Sequence, residues 1–236
     1  PPMSDRTACL VELPWQADIS QRFLHLCQMP GAVLLDSCEP GSHGPTRFDI
    51  ASAWPLVQIT PQPDECTADF LARARQLLQR LPAVTALPEQ FPFAGGLLGY
   101  LGYHFGHHAD RHARKLPVAS IGLYDWALIN DHQKQQSWLF CHPSMPDGRR
   151  SELVELFAGQ GGVLPAGQPF ELQHDFAPLR DREHYRDAIV QIQDAIESGQ
   201  ISQVNYTQRF SSTYRGNPWT AYQELRKRCP VPYASY

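Results

Sequence analysis

The sequence predicts an α+β fold, with mostly antiparallel β-sheets packed in a sandwich and helices on the outside. Three observations carry this. Strand-type and helix-type runs come in mixed order, without strict strand–helix alternation. Two aromatic-rich runs, 120–130 and 137–141, flank the polar stretch Asp131–Gln136, which is the pattern of a hairpin. Two segments, Thr67–Leu81 and the one between Asp181 and Gly199, repeat apolar residues at helical spacing.

Composition narrows the partners. The 236 residues suffice for one large or two small domains. The net charge is −4 and no basic stripe interleaves with aromatics, which argues against nucleic acid and against an anionic membrane surface. No apolar run has the length of a bilayer span. The first thirty residues lack a charged start followed by an apolar core, so no secretory signal is expected. Six cysteines (Cys9, Cys27, Cys38, Cys66, Cys141 and Cys229) are scattered without a Cys-x-x-Cys pair. Free buried thiols in a reducing cytoplasm are expected.

Taken in order, Asp18–Gln28 places Ile19, Phe23 and Leu26 at helical spacing and stops at Met29-Pro30-Gly31. Ala32–Leu35, Arg47–Ala53 and Leu56–Thr60 read as strands, and 36–45 as a Gly, Pro and Ser-rich loop. In the helix Thr67–Leu81, residues Phe70, Ala74, Leu77 and Leu81 face inward, and Pro82 ends it for want of an N–H. The glycine-punctuated run 91–106 lacks Gly-Lys-Ser/Thr, so a curved strand with close backbone approach is expected rather than a phosphate loop. Ser151–Phe157 is a short helix, and 159–168, with four glycines and one proline, a linker. The expected domains are therefore 1–168 and 169–236.

The second part opens with a helix capped by Asp181, with Tyr185, Ile189, Ile192 and Ile196 on one face and Gly199 as a left-handed stop. A strand is expected to follow from Ile201 to Phe210. Asn217 caps the next helix, Pro218 opens it, and the apolar ending Val231–Tyr236 reads as an interrupted strand. Gln203 and Asn205, with Gln208 and Arg209, place polar groups on a strand expected to be buried; a satisfied core network and a ligand pocket are equal readings. His104, His107, His108 and His112 have no Cys or acidic partner at a telling spacing, so a solvated polar loop is preferred over a metal site. Asp125 and the pair Asp131-His132 fit a hairpin with a polar tip, and no serine sits in Gly-x-Ser-x-Gly.

Four pieces of sequence point further: Leu34-Leu35-Asp36-Ser37 followed by Arg47-Phe48-Asp49-Ile50; the run from Phe93 to Tyr103; the run from Gly122 to Gln133; and Gln203 to Phe210. Over nearly the whole chain these resemble the large subunits of the chorismate-utilising amination enzymes, of the aminodeoxychorismate synthase and anthranilate synthase type. Gln203-Val204-Asn205, Tyr124-Asp125-Trp126-Ala127 and Arg47-Phe48-Asp49 look like the aminodeoxychorismate side. Anthranilate synthase is the alternative within the family, and a non-catalytic binding or docking domain is the alternative outside it.

The resemblance implies amination of chorismate to 4-amino-4-deoxychorismate for 4-aminobenzoate and folate. It implies magnesium as cofactor and ammonia delivered from glutamine by a partner amidotransferase subunit. The family's Pro-Ile-Lys-Gly-Thr motif is absent here, so catalytic residues and magnesium ligands are expected downstream of Tyr236, and the chain alone is expected to be inactive. The resemblance also implies an L-tryptophan pocket at Ser37, Thr46, Arg47, Phe48, Pro232, Tyr233 and Ala234. Two positions depart from the family pattern: Pro45 stands where a tyrosine often does, and Ala234 lacks a hydroxyl.

Overall fold

The computed structural model describes residues 9–38, 46–84, 87–106, 116–158 and 169–236. The expected linker 159–168, Pro45 and the histidines His107, His108 and His112 lie outside them. The chain forms two compact units. One takes in the described residues of Pro1–Ala166 together with Tyr222–Tyr236, and the other is Gly167–Ala221.

The first unit contains β1 (Cys9–Leu13), α1 (Ser20–Phe23), β2 (Val33–Asp36), β3 (Phe48–Ser52), β4 (Val57–Ile59), α2 (Thr67–Leu78), β5 (Gly96–Leu101), β6 (Ala119–Tyr124), β7 (Trp126–Asp131), β8 (Gln136–Cys141) and α3 (Asp147–Ala158). The second contains β9 (Glu171–Leu172), β10 (Ala177–Pro178), α4 (Arg182–Glu197), β11 (Phe210–Ser211) and β12 (Tyr214–Arg215). Then come α5 (Pro218–Arg228) and β13 (Ala234–Ser235). Residues 222–236 were expected with the second domain. They join the first unit because β13 pairs with β2, adding a strand to its sheet.

Six strands form one sheet in the order β1-β8-β7-β3-β2-β13, and three form another in the order β4-β6-β5. All pairs in both are antiparallel, giving the α+β class. Every residue of β7 is buried. Alternation sends Ala127 and Ile129 to one face, where with Phe140 they meet Val84, Leu87, Phe91 and Phe93. Trp126 points to the other face, its ring 5.9 Å from Phe157 of α3. The single strand expected over 120–130 is two strands broken at Asp125, because β6 serves the small sheet and β7 the large one. The hairpin forms as expected, with Asp131 paired to Gln136.

The glycine run makes β5, not a phosphate loop. A Cβ on Gly99 would stand 2.1 Å from the Ser120 carbonyl oxygen, so only glycine lets β5 lie this close to β6. α2 covers the small sheet through Phe70 and Ala74. Around α1, Ile19, Phe23 and Leu26 are all buried, as their spacing requires, but regular helix ends at Phe23 and tighter turns follow.

In the second unit, the Asp181 carboxylate accepts the His184 amide at 2.8 Å, and Gly199 has φ +72°, so both ends of α4 are as read from sequence. The strand expected over 201–210 is confined to Phe210–Ser211. The burial expected for that strand is not found, since Gln203 and Asn205 are exposed. A strand exists only through a partner's backbone groups, and among the described residues none pairs with 201–209 as a ladder. No helix among the described residues is long and apolar enough to cross a membrane.

Candidate functional site

An aspartate ending the apolar run Val33-Leu34-Leu35 must find a cation if it is buried. Asp36 is buried, and it does. Its Oδ2 accepts from Arg226 Nε at 2.6 Å and from the Tyr222 hydroxyl at 2.9 Å. Its Oδ1 accepts from Arg226 Nη2 at 3.0 Å and from the Cys38 amide at 2.8 Å. Arg226 Nη1 also reaches Asp18 at 3.1 Å. Burial alone would raise the Asp36 pKa, but Arg226, the Cys38 amide and Tyr222 outweigh it and hold the carboxyl below its ordinary value. Burial alone would lower the Arg226 pKa, but Asp36 and then Asp18 outweigh it and hold the guanidinium above its ordinary value. The sequence offered one signal, an acid inside an apolar strand, and none for the cation far along the chain.

This network holds the end of the chain against β2. Ala234 sits opposite Asp36, and Ser235 opposite Leu35. Leu34 and Tyr236 exchange backbone hydrogen bonds of 3.0 Å in both directions. The Tyr236 ring is 5.8 Å from Phe23 and 5.3 Å from Tyr222. On the other side of β2, the Ser37 hydroxyl donates to the Phe48 carbonyl at 2.9 Å, and the Ser37 amide donates to Asp49 Oδ1 at 2.8 Å. Ser37, Phe48 and Ala234, far apart in sequence, thus lie on or beside three neighbouring strands, with buried Thr46 just ahead of β3.

Arg47 points elsewhere. Its Nε and Nη2 grip the two oxygens of Asp131 at 3.1 and 2.8 Å, its Nη1 donates to Gln90, and its guanidinium lies over the Phe48 ring at 4.5 Å. Burial alone would raise the Asp131 pKa, but Arg47 and the amides of Lys134 and Gln133 outweigh it and hold the carboxyl below its ordinary value. Next to it, His132 Nε2 meets Asp49 Oδ2 at 2.6 Å, both nearly buried. The hairpin tip is therefore polar but engaged, tying β7 to β3.

Tyr233 is 75% exposed and Pro232 is half-buried, so Tyr233 does not close over Ser37 as an aromatic wall. A cavity beside Phe48, Asp131 and Gln90 measures about 30 Å³, room for a water rather than an amino acid. A separate groove of about 640 Å³, between Trp54-Pro55-Leu56 and α3, touches none of the seven residues. Among the described residues no three His, Cys, Asp or Glu side chains come together to hold a metal.

The family model described as chorismate binding enzyme matches residues 31–236. Aminodeoxychorismate synthase component 1 of Salmonella typhimurium is 33% identical over 99% of the chain and 54% of the relative. The protein of that name from Escherichia coli is 31% identical over the same shares. Anthranilate synthase alpha subunit 1 of Arabidopsis thaliana is 24% identical over 86% of the chain and 42% of the relative. Among solved structures, anthranilate synthase component I from Streptococcus pneumoniae shares the fold, with TM-score 0.60 and 19% identity over 81% of this chain and 48% of that one. The chain spans about half the length of these relatives. The matched residues begin just before β2 and run through β13, taking in the strands that bring Ser37, Phe48 and Ala234 together, and on that match the chain belongs to the chorismate binding enzyme family.

Proposed function

We propose that this chain serves the amination of chorismate, within the large component of an aminodeoxychorismate synthase. The observation that carries the reading is the similarity to the Salmonella and Escherichia proteins across nearly all of the chain, higher than to the Arabidopsis anthranilate synthase subunit. The proposed reaction exchanges the C4 hydroxyl of chorismate for an amino group from ammonia, releasing water and giving 4-amino-4-deoxychorismate. Ammonia comes from glutamine through an amidotransferase partner. The product feeds 4-aminobenzoate and folate, and the setting is the cytoplasm. Magnesium is part of the proposal by resemblance alone. The described residues do not fit it, since they bring no metal-holding cluster together.

Within that reading the first unit is a frame. Its β2, β3 and β13 edge is proposed as an amino-acid site at Ser37, Thr46, Phe48 and Ala234, with L-tryptophan as the candidate ligand. Chromatography of the products from chorismate, magnesium and ammonium tests the reaction. A protein of the relatives' full length containing this chain is expected to give aminodeoxychorismate, and anthranilate as the main product would assign it to the other branch. The 236-residue chain alone is expected to leave chorismate intact. Consumption above a protein-free control would overturn the expectation that the catalytic groups lie downstream of Tyr236.

A further inference from the structure

β1 is an edge strand, paired only with β8 in the large sheet. The register of that pair sets Cys9 directly opposite Cys141. Residues directly opposite in an antiparallel pair point to the same side of the sheet, with Cα atoms roughly 4.5 or 5.5 Å apart according to their place in the ladder. Both spacings fall inside the window of roughly 4.4–6.8 Å that a disulfide spans. The two thiols differ in access, Cys9 being half-buried and Cys141 fully buried. α3 lies against both strands, and its Arg150 and Arg149 are close enough to act on Cys141 electrostatically. Of the other four cysteines, Cys27 donates to the Leu24 carbonyl, Cys38 is within hydrogen-bonding reach of the Val231 backbone, Cys66 caps α2, and Cys229 is exposed.

We infer that Cys9 and Cys141 are a thiol pair that a small-molecule disulfide of the glutathione type converts into a cross-strand disulfide. Cys9, the reachable thiol, gives its proton to solvent, and its sulfur attacks one sulfur of the reagent. The reagent's S–S bond breaks, and one thiolate leaves and takes up a proton. Cys141 then gives up its proton, its sulfur attacks that of Cys9, and the second thiolate leaves. Two electrons pass from the protein thiols to the reagent, which is released as two thiols. Burial, helped by Cys9, pushes the Cys141 thiol up to about 12, with Arg150 and Arg149 pulling the other way. The second step is therefore the slow one. The ladder already holds the two residues opposite one another, and closing the bond fastens β1, an edge strand with a single neighbour in this sheet.

The 236-residue chain, incubated with oxidised glutathione or with reduced glutathione as control, is digested without reduction and mapped by mass spectrometry. The expected result is a transient glutathione adduct on Cys9, then a linked peptide pair holding Cys9 and Cys141, and a melting temperature above that of the reduced chain. Cys9→Ser abolishes the link, while Cys229→Ser keeps it. Mapping of the unsubstituted chain decides the matter even if a variant fails to fold. Glutathione that stays on Cys9 with Cys141 still free, or a link joining other cysteines, would overturn the inference.

Discussion

Asp36 is fully buried as a side chain, and its charge is matched by an arginine that is itself only 15% exposed. Removing one partner of such a pair leaves an uncompensated charge, so Arg226→Met is expected to cost about 3 kcal/mol at pH 7. Because the folded Asp36 pKa lies below its unfolded value, its contribution is fully present above the unfolded value and is lost as pH falls through the folded one. The gap between Arg226→Met and the parent in urea midpoint should therefore narrow below about pH 4. An unchanged gap at pH 3 would contradict this. Asp125 has the opposite sign: burial raises its pKa, Arg149 offsets this only in part, and the ionised form is a cost present above the folded pKa. Asp125→Asn is expected to gain stability at pH 7 and nothing at pH 3, read as the melting temperature at each pH. The amino-acid site is expected to be weak. The Ser37 hydroxyl and amide already serve Phe48 and Asp49, and Arg47 is taken by Asp131. Each hydrogen bond lost to a ligand costs about 0.5–1.5 kcal/mol, up to roughly tenfold in affinity. Calorimetry with L-tryptophan should show no binding or only millimolar binding to this chain, and a micromolar constant would refute the argument. Along the sequence Arg47 has Asp49 two positions away. The acid it uses, Asp131, is 84 positions away, and only the β3–β7 pairing brings it close.

Elements were legible where their signals are local. The Asp181 cap, the left-handed Gly199 and the turn between Asp131 and Gln136 are set by residues within a few positions of one another, and all three are found. What a segment pairs with is not local. The polar and apolar alternation over 201–209 has the look of a strand but no ladder partner among the described residues, and the run 120–130 gives no hint that its halves join different sheets. Close packing shows the same limit from the other side. The glycines of β5 announced a tight approach without naming the neighbour, which is the Ser120 carbonyl of β6. Gly99→Ala would drive a Cβ into that carbonyl and is expected to cost about 2–4 kcal/mol. Denaturant midpoints compared with those of Gly148→Ala, where nothing lies within 4 Å, separate this clash from a general effect of losing glycine.

At the scale of the molecule, burial is unevenly distributed. All six residues of β7 are buried, whereas α4 has no buried residue and Ile196 on its apolar face is 42% exposed. Local opening follows that difference. Hydrogen exchange read by mass spectrometry should therefore protect β7 longest and release the amides of α4 and 201–209 first; equal protection would contradict it. The return of β13 to β2 has a further consequence, in time rather than in space. Asp36 leaves the ribosome 190 residues before Arg226, which at roughly 5–20 residues per second is a delay of roughly 10 to 40 s. Throughout it, the carboxylate meant for a dry interior has no guanidinium, and the outer edge of β2 offers its open backbone groups to any passing strand. Nascent chains stalled before Arg226 should be cut near β2 by added protease far faster than chains in which residues 222–236 have emerged, so the growing chain is at its most vulnerable where the folded one is most tightly sewn.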